Sequence, residues 1–281
     1  MLKILMALIL IIVIVVLGGS SIFRYQFEQD TEEKVNELFR NVTEHEQEIM
    51  LDDLKNLPAP VEKWLEDSGI LEEPAINYAR SLQSAEMRLE DQGRWLSLTA
   101  EQYFTVDKPG FIWQAKINAA PLIHISGRDV YYQGKGNMLI KPLSLITIAD
   151  SKGFEMDQGT LVRFLAEIVW IPSAALSDYI TWEEVNQNSA QATMNFGDIT
   201  ASGVFTFNDR GEPIGFTAER YRDVDGEFEM ETWSISMGNH QKFNGIKVPT
   251  TGEITWELEE GDFTWYKFEV EELEYNQPEV Y

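Results

Sequence analysis

The sequence predicts a mainly β protein with helices. The expected architecture is a curved antiparallel sheet, or half-barrel, of about ten or eleven strands. It carries a short N-terminal helix and a mid-chain helical insert and is preceded by a transmembrane helix. Three observations predict this. From Ile76 onward apolar residues recur with period two, the spacing that puts one face of a strand on a core. Short turns rich in Gly, Asp and Pro separate the alternating runs, which favours antiparallel hairpins over crossovers. One stretch alone, Asp157–Trp170, breaks the alternation with helical spacing.

At the N-terminus, Ile4 to Phe23 is a run of 20 residues without a charge. At about 1.5 Å rise per residue, such a helix matches a hydrocarbon core of roughly 30 Å. A cleaved signal peptide, with Gly18-Gly19-Ser20-Ser21 as its small-residue site, is the competing reading. The uninterrupted length favours an uncleaved anchor over residues 1–23. Lys3 and the α-amino group before the run point to N-in and C-out in a cell membrane, with the C-terminal part outside the cytoplasm.

Residues 24–56 then form an acidic juxtamembrane segment. Glu28 to Lys55 holds ten acids against three bases. Val35, Leu38, Phe39 and Val42 follow helical spacing, so an amphipathic helix is expected, either a stalk or packed on the domain. Residues 57–281 form the extracytoplasmic domain. It opens with a short helix after Pro58-Ala59-Pro60, ended by Gly69, with Val61, Trp64 and Leu65 on one face. Leu96, Leu98, Ala100, Gln102, Phe104 and Val106 share a strand face. Phe111, Trp113, Ala115 and Ile117 repeat the pattern after Asp107-Lys108-Pro109-Gly110. Gly134-Lys135-Gly136, Asp209–Pro213 and Asp225-Gly226 mark later turns. In the insert, Leu161, Phe164, Leu165 and Ile168 make one helical face before Pro172, and Ser173–Tyr179 is expected to add a helical turn. Phe104, Trp113, Phe205, Trp256 and Phe268 would point inward. They suit a solid core and an acyl-chain pocket equally well.

Composition excludes much else. The 281 residues carry 22 Lys plus Arg against 47 Asp plus Glu, a formal charge of −25, which repels phosphate backbones and excludes nucleic acid as a partner. There is no Cys, so disulfides, thiolate metal sites and a thiol nucleophile are absent. Three His, with no paired spacing, leave no metal motif. No nucleophile elbow, phosphate loop or dinucleotide fingerprint occurs, so no cofactor is expected.

Several strings resemble an uncharacterised bacterial family, a domain of unknown function. They are Leu57-Pro58-Ala59-Pro60-Val61, Thr99-Ala100-Glu101-Gln102-Tyr103-Phe104, Pro109-Gly110-Phe111-Ile112-Trp113-Gln114-Ala115, and Arg163-Phe164-Leu165-Ala166-Glu167 followed by Trp170-Ile171-Pro172. The resemblance runs from about residue 57 to 276. It implies no established activity. The order of elements is similar to that of lipoprotein-carrier (LolA-like) half-barrels, a similarity of topology alone.

Six residues are candidates for ligand binding: Gln102, Trp113, Arg163, Glu167, Trp170 and Arg220. Gln102 shares its face with Leu98 and Phe104, and Arg220 shares parity with Ile214 and Phe216. A polar group on an apolar face is either a pocket anchor or a strand-end residue reaching water. Arg163 and Glu167, four apart on a helix, suit a structural pair between helix and sheet. Trp170 suits a lid edge or ordinary core. The expected function is non-catalytic binding of a hydrophobic or amphiphilic molecule, such as a lipid, or of an envelope partner. The alternatives are a carboxylate-dependent enzyme using Glu101, and a solid-core interaction domain. The sequence leaves the oligomeric state open.

Overall fold

The computed structural model describes residues 2–224 and 226–281, and for residues 2, 7 and 9–17 the backbone alone. Thirteen strands build one antiparallel sheet that does not close on itself. The first half comprises β1 (Tyr78–Met87), β2 (Leu96–Thr105), β3 (Gly110–Ala120), β4 (Ile123–Tyr132), β5 (Lys135–Pro142) and β6 (Ala149–Ser151). The second comprises β7 (Ile180–Asn186), β8 (Ser189–Phe196), β9 (Ile199–Phe207), β10 (Pro213–Val224), β11 (Glu227–Phe243), β12 (Ile246–Glu257) and β13 (Phe263–Tyr275). Each half is a meander. The order β6-β5-β4-β3-β2-β1-β13-β12-β11-β10-β9-β8-β7 places the first and last strands side by side in the middle. The two edges are β6, of three residues, and β7, which carries Glu183 and Glu184 exposed. Short or charged edges resist pairing with another chain. The sequence-based count was low because β6 is too short to show a period and the acids of β7 blur one.

Among the described residues three α-helices attach to this sheet: α1 (Leu2–Arg40), α2 (Ala59–Ser68) and α3 (Phe154–Glu167). The amphipathic stretch expected to reach Lys55 leaves helix at Arg40. Its stripe Val35, Leu38 and Phe39 packs on Tyr78, Tyr103 and Ile112 of the outer sheet face. Arg128 on β4 donates to Asp30 at 2.6 Å and to Thr31 at 3.0 Å, tying the helix down. The segment is therefore docked and is not a free stalk. Ile49 and Leu54, the latter in a 3-10 turn at Leu51–Leu54, join the main core instead. Among the described residues no helix is long and apolar enough to cross a membrane. Residues 7 and 9–17 of the expected anchor lie outside the described side chains. The Asp225-Gly226 turn likewise falls on residue 225, outside the described residues.

The insert starts three residues before its expected first residue, behind Gly153 in a left-handed conformation (φ 119°). It lies across the inner face, against β4, β5, β8, β9 and β10. Asp157 fixes its first turn by accepting from the Gly136 N–H (2.7 Å) and Lys135 Nζ (2.8 Å). A Cβ at Gly136 would collide with the Met156 carbonyl and the Thr160 hydroxyl, so only glycine lets α3 approach β5 this closely. Leu161, Phe164 and Leu165 are buried, and the chain continues through 3-10 turns at Ile168–Trp170 and Pro172–Leu176. Phe104, Trp113, Phe205, Trp256 and Phe268 all point into this core, as their parity predicts.

Candidate functional site

Directly opposed residues in an antiparallel sheet share a face. The register sets Ser81, Gln102, Trp113, Asp129 and Met138 in one row across β1 to β5. Helix α3 lays Arg163 and Glu167 over this row. The polar members connect without a break. Gln83 Nε2 donates to Ser81 Oγ and to Gln102 Oε1, both at 3.0 Å. Gln102 Nε2 donates to Glu167 Oε2 at 2.7 Å. Arg163 donates through Nε to Glu167 Oε1 at 2.8 Å and through Nη1 to Asp129 Oδ2 at 2.6 Å. Its guanidinium also lies over the rings of Phe111 and Trp113. Gln102 is thus fully buried and paired, not a strand-end residue in water.

Beside this network is a cavity of about 150 Å³. Its wall is mainly apolar: Met87, Ile117, Met138, Ile140, Trp170, Trp233, Ile235, Met237 and Phe268, with Trp113, Arg163, Glu167 and Arg220 on the polar side. The helical insert fills most of the inner face, and this volume is what it leaves. An engineered cavity of about 150 Å³ holds benzene, whereas small-molecule pockets usually offer about 300–1,000 Å³. Trp170 is a wall of the cavity and is pinned by its indole N–H to the Pro249 carbonyl at 2.9 Å. The indole N–H groups of Trp233 and Trp265, also in the lining, have no hydrogen-bond partner among the described residues.

Arg220 on β10 differs from Arg163. Its Nε donates to the Gly159 carbonyl of α3 at 3.0 Å, and its guanidinium lies 4.6 Å from the Trp233 ring. Among the described residues it makes no ion pair. Burial, helped by repulsion from Arg163, pulls its guanidinium down to about 10. Burial pushes Asp129 and Glu167 up from the carboxylate range, against the pull of Arg163. Arg163 itself is raised: burial opposes this, and its two carboxylates outweigh it. Two carboxylates and two guanidiniums thus balance, but three of the four groups are bonded together and the fourth faces the cavity.

All six candidates from the sequence gather here, five in the cavity wall and Gln102 just behind it. Asp129, Gln83 and Ser81 were missed. Asp129 had the same signal as Gln102: it shares parity with Ile125 and Tyr131 on β4. Ala79, Ser81, Gln83 and Ala85 keep an unbroken alternation on β1, but this inward face is small and polar and so carries no apolar signal; the bulge here is an extra residue, Glu271, on β13. Glu101, the residue named for an enzymatic alternative, lies on the outer face and accepts from the Tyr103 hydroxyl at 2.8 Å. It does not converge with Asp129 and Glu167.

A model described as "Family of unknown function (DUF6544)" matches residues 47–268. No curated protein matches the chain. Among solved structures, a LolA superfamily protein from Nitrosomonas europaea is similar at 8% identity and TM-score 0.43, over 77% of this chain and 94% of that one. A DUF1329 family protein from Desulfovibrio piger is similar at 10% identity and TM-score 0.39, over 78% and 92%.

Proposed function

The chain belongs to the family of unknown function DUF6544, a description that assigns no activity, and from the site itself we propose that the domain binds a small amphiphile. The apolar part lies against Met87, Ile117, Ile140, Trp233 and Phe268, and a polar or anionic head meets Arg220. One observation carries this reading: an arginine with no ion pair among the described residues faces an apolar cavity, while Asp129 and Glu167 are both hydrogen-bonded to Arg163. A guest oxygen that accepts a charge-assisted hydrogen bond from Arg220 supplies what the fold withholds from it. Gln102, Arg163 and Glu167 serve the guest indirectly, by holding α3 and the wall in place. Longer guests need α3 and the 3-10 turns after it to move outward, because the volume present suits only a short chain. The domain is read as anchored by residues 1–23, N-in, with residues 57–281 outside the cytoplasm. The apolar length of 4–23 supports this.

The test is thermal melting of the full-length protein in detergent with straight-chain fatty acids of increasing length and with the matching alcohols. The acids raise the melting temperature of the parent more than the alcohols do, and Arg220→Met abolishes that difference. No shift with any acid, together with no small molecule seen by native mass spectrometry of the purified chain, refutes the reading.

A further inference from the structure

The turns at one end of the sheet are not uniform. Those at 88–95, 121–122, 143–148 and 258–262 all lie at the end where β1, β3, β5 and β12 finish. On the β12 side of this end Glu257, Glu259, Glu260 and Asp262 are exposed, and Asp223 precedes the β10–β11 turn. On the β3–β6 side four large apolar residues are exposed, Leu122 at 76%, Ile146 at 65%, Ile148 at 63% and Ile123 at 46%, with Asn118, Thr147 and Asp150 exposed beside them. These two loops form one unit. The Leu143 N–H donates to the His124 carbonyl at 2.8 Å, His124 Nε2 lies 3.1 Å from Ser144 Oγ, and Ile125 pairs with Pro142. Large apolar side chains grouped at a loop tip mark a surface that meets something apolar.

What they meet is indicated by α1. Ser20 Oγ donates to the Leu143 carbonyl at 2.8 Å, so the last residues of the uncharged 4–23 run stand beside this rim. Ile22 and Phe23 are themselves exposed there. Arg94, bonded to the Ala119 carbonyl, and Lys116 on β3 are exposed cations that suit anionic headgroups, while Arg24 is half-buried and paired with Glu28. The acidic β12 side is repelled by the same headgroups, which confines contact to the β3–β6 corner.

We propose that Leu122, Ile123, Ile146 and Ile148 form a rim that rests in the headgroup layer of the membrane holding the chain. The inference rests on the anchored reading. Because α1 is docked on the outer face and not hinged, the helix that enters the bilayer also sets the tilt at which the rim touches it. The cavity points the same way. Its lining includes Met87, Ile117, Ile140 and Ile254, inward residues close to the strand ends on this side. A guest drawn from the lipid phase therefore reaches the cavity from the membrane-facing end without crossing water.

The chain has no native cysteine, so single nitroxide labels carry no background. Leu122→Cys, Ile146→Cys and, at the opposite end of the sheet, Gln133→Cys are labelled in the full-length protein. Each is reconstituted into phosphatidylcholine–phosphatidylglycerol vesicles, floated, and tested for collision with oxygen and with a water-soluble nickel chelate. Labels at 122 and 146 show a several-fold higher oxygen-to-nickel ratio than the label at 133. Equal ratios in floated protein overturn the rim and leave the anchor standing. Protein that fails to float overturns both. Dipolar broadening between labels at 146 assigns the rim to contact between two copies and overturns the lipid proposal.

Discussion

Replacing Arg163 by methionine tests the internal accounting of the site. Arg163 holds Asp129 at 2.6 Å and Glu167 at 2.8 Å, and both carboxylates are raised by burial. Removing one partner of a buried pair costs about 3–5 kcal/mol because charge is left uncompensated. At about 2–4 °C per kcal/mol for a domain of this class, the melting temperature falls by roughly 10 °C near neutral pH. The sign of the pH dependence follows. The orphaned carboxyls titrate above their unfolded values, so the native state takes up protons that the unfolded chain does not. Stability is regained as pH falls through their folded pKa, by at most about 1.4 kcal/mol per unit for each group. The deficit is therefore smaller near pH 5 than near pH 7. Arg220→Met is the control. It removes one hydrogen bond and cation–π contacts with Trp233 and Trp256, about 1–3 kcal/mol together, and also removes the cost of burying a guanidinium that has no ion pair among the described residues. Its net cost is below about 2 kcal/mol. Melts followed by near-ultraviolet circular dichroism, which the many aromatics make sensitive, compare the two variants at both pH values. If Arg220→Met costs as much as Arg163→Met, or if the Arg163 deficit grows on acidification, the assignment of structural and guest-binding roles is wrong.

Three further outcomes follow from particular contacts. Gly136→Val drives a side chain into the Met156 carbonyl and lifts α3 off β5, costing several kcal/mol and exposing the core to a hydrophobic dye; a melt unchanged from the parent contradicts the close approach. Glu212 is held down to about 2: burial would raise it, and hydrogen bonds from Asn208 and Arg210 prevail. Its contribution is complete above the unfolded value of about 4.3 and is lost as pH falls toward 2, so Glu212→Gln flattens acid unfolding in that window and leaves the alkaline side unchanged. Residues 253 to 279 hold ten acids and one base, so the melting temperature rises between about 0.01 and 0.15 M NaCl as the screening length contracts from about 30 to 8 Å; a flat response contradicts self-repulsion there.

What the sequence revealed, and what it hid, has a physical pattern. The inward parity of Phe104, Trp113, Phe205, Trp256 and Phe268 was legible because a two-residue period survives wherever a strand is regular. The site was half legible. Gln102 and Arg220 stood out as polar residues on apolar faces, while Asp129 offered the same signal and went unread. Which carboxylate pairs with which arginine depends on how α3 lies across five strands, and no local pattern encodes that. The outer-face role of α1 was undetermined for a similar reason. Val35, Leu38 and Phe39 show that the helix has an apolar stripe, but not which surface the stripe covers. The end of that helix at Arg40 was hidden by acids that continue to Asp53 in a different backbone conformation.

The strand order has a consequence for how the chain comes to be folded. Each meander is made of neighbours in sequence and closes over short loops, but the seam between them pairs Ala79 with Tyr275, almost two hundred residues later. During synthesis β1 therefore presents an unsatisfied edge until β13 is made, in the middle of the finished sheet and without the shortness that protects β6. The halves are free to order early, and the seam, with its long closing loop, forms late. A chain stalled before residue 263 thus leaves β1 unpaired at a long open edge, the species that a chaperone has most reason to hold.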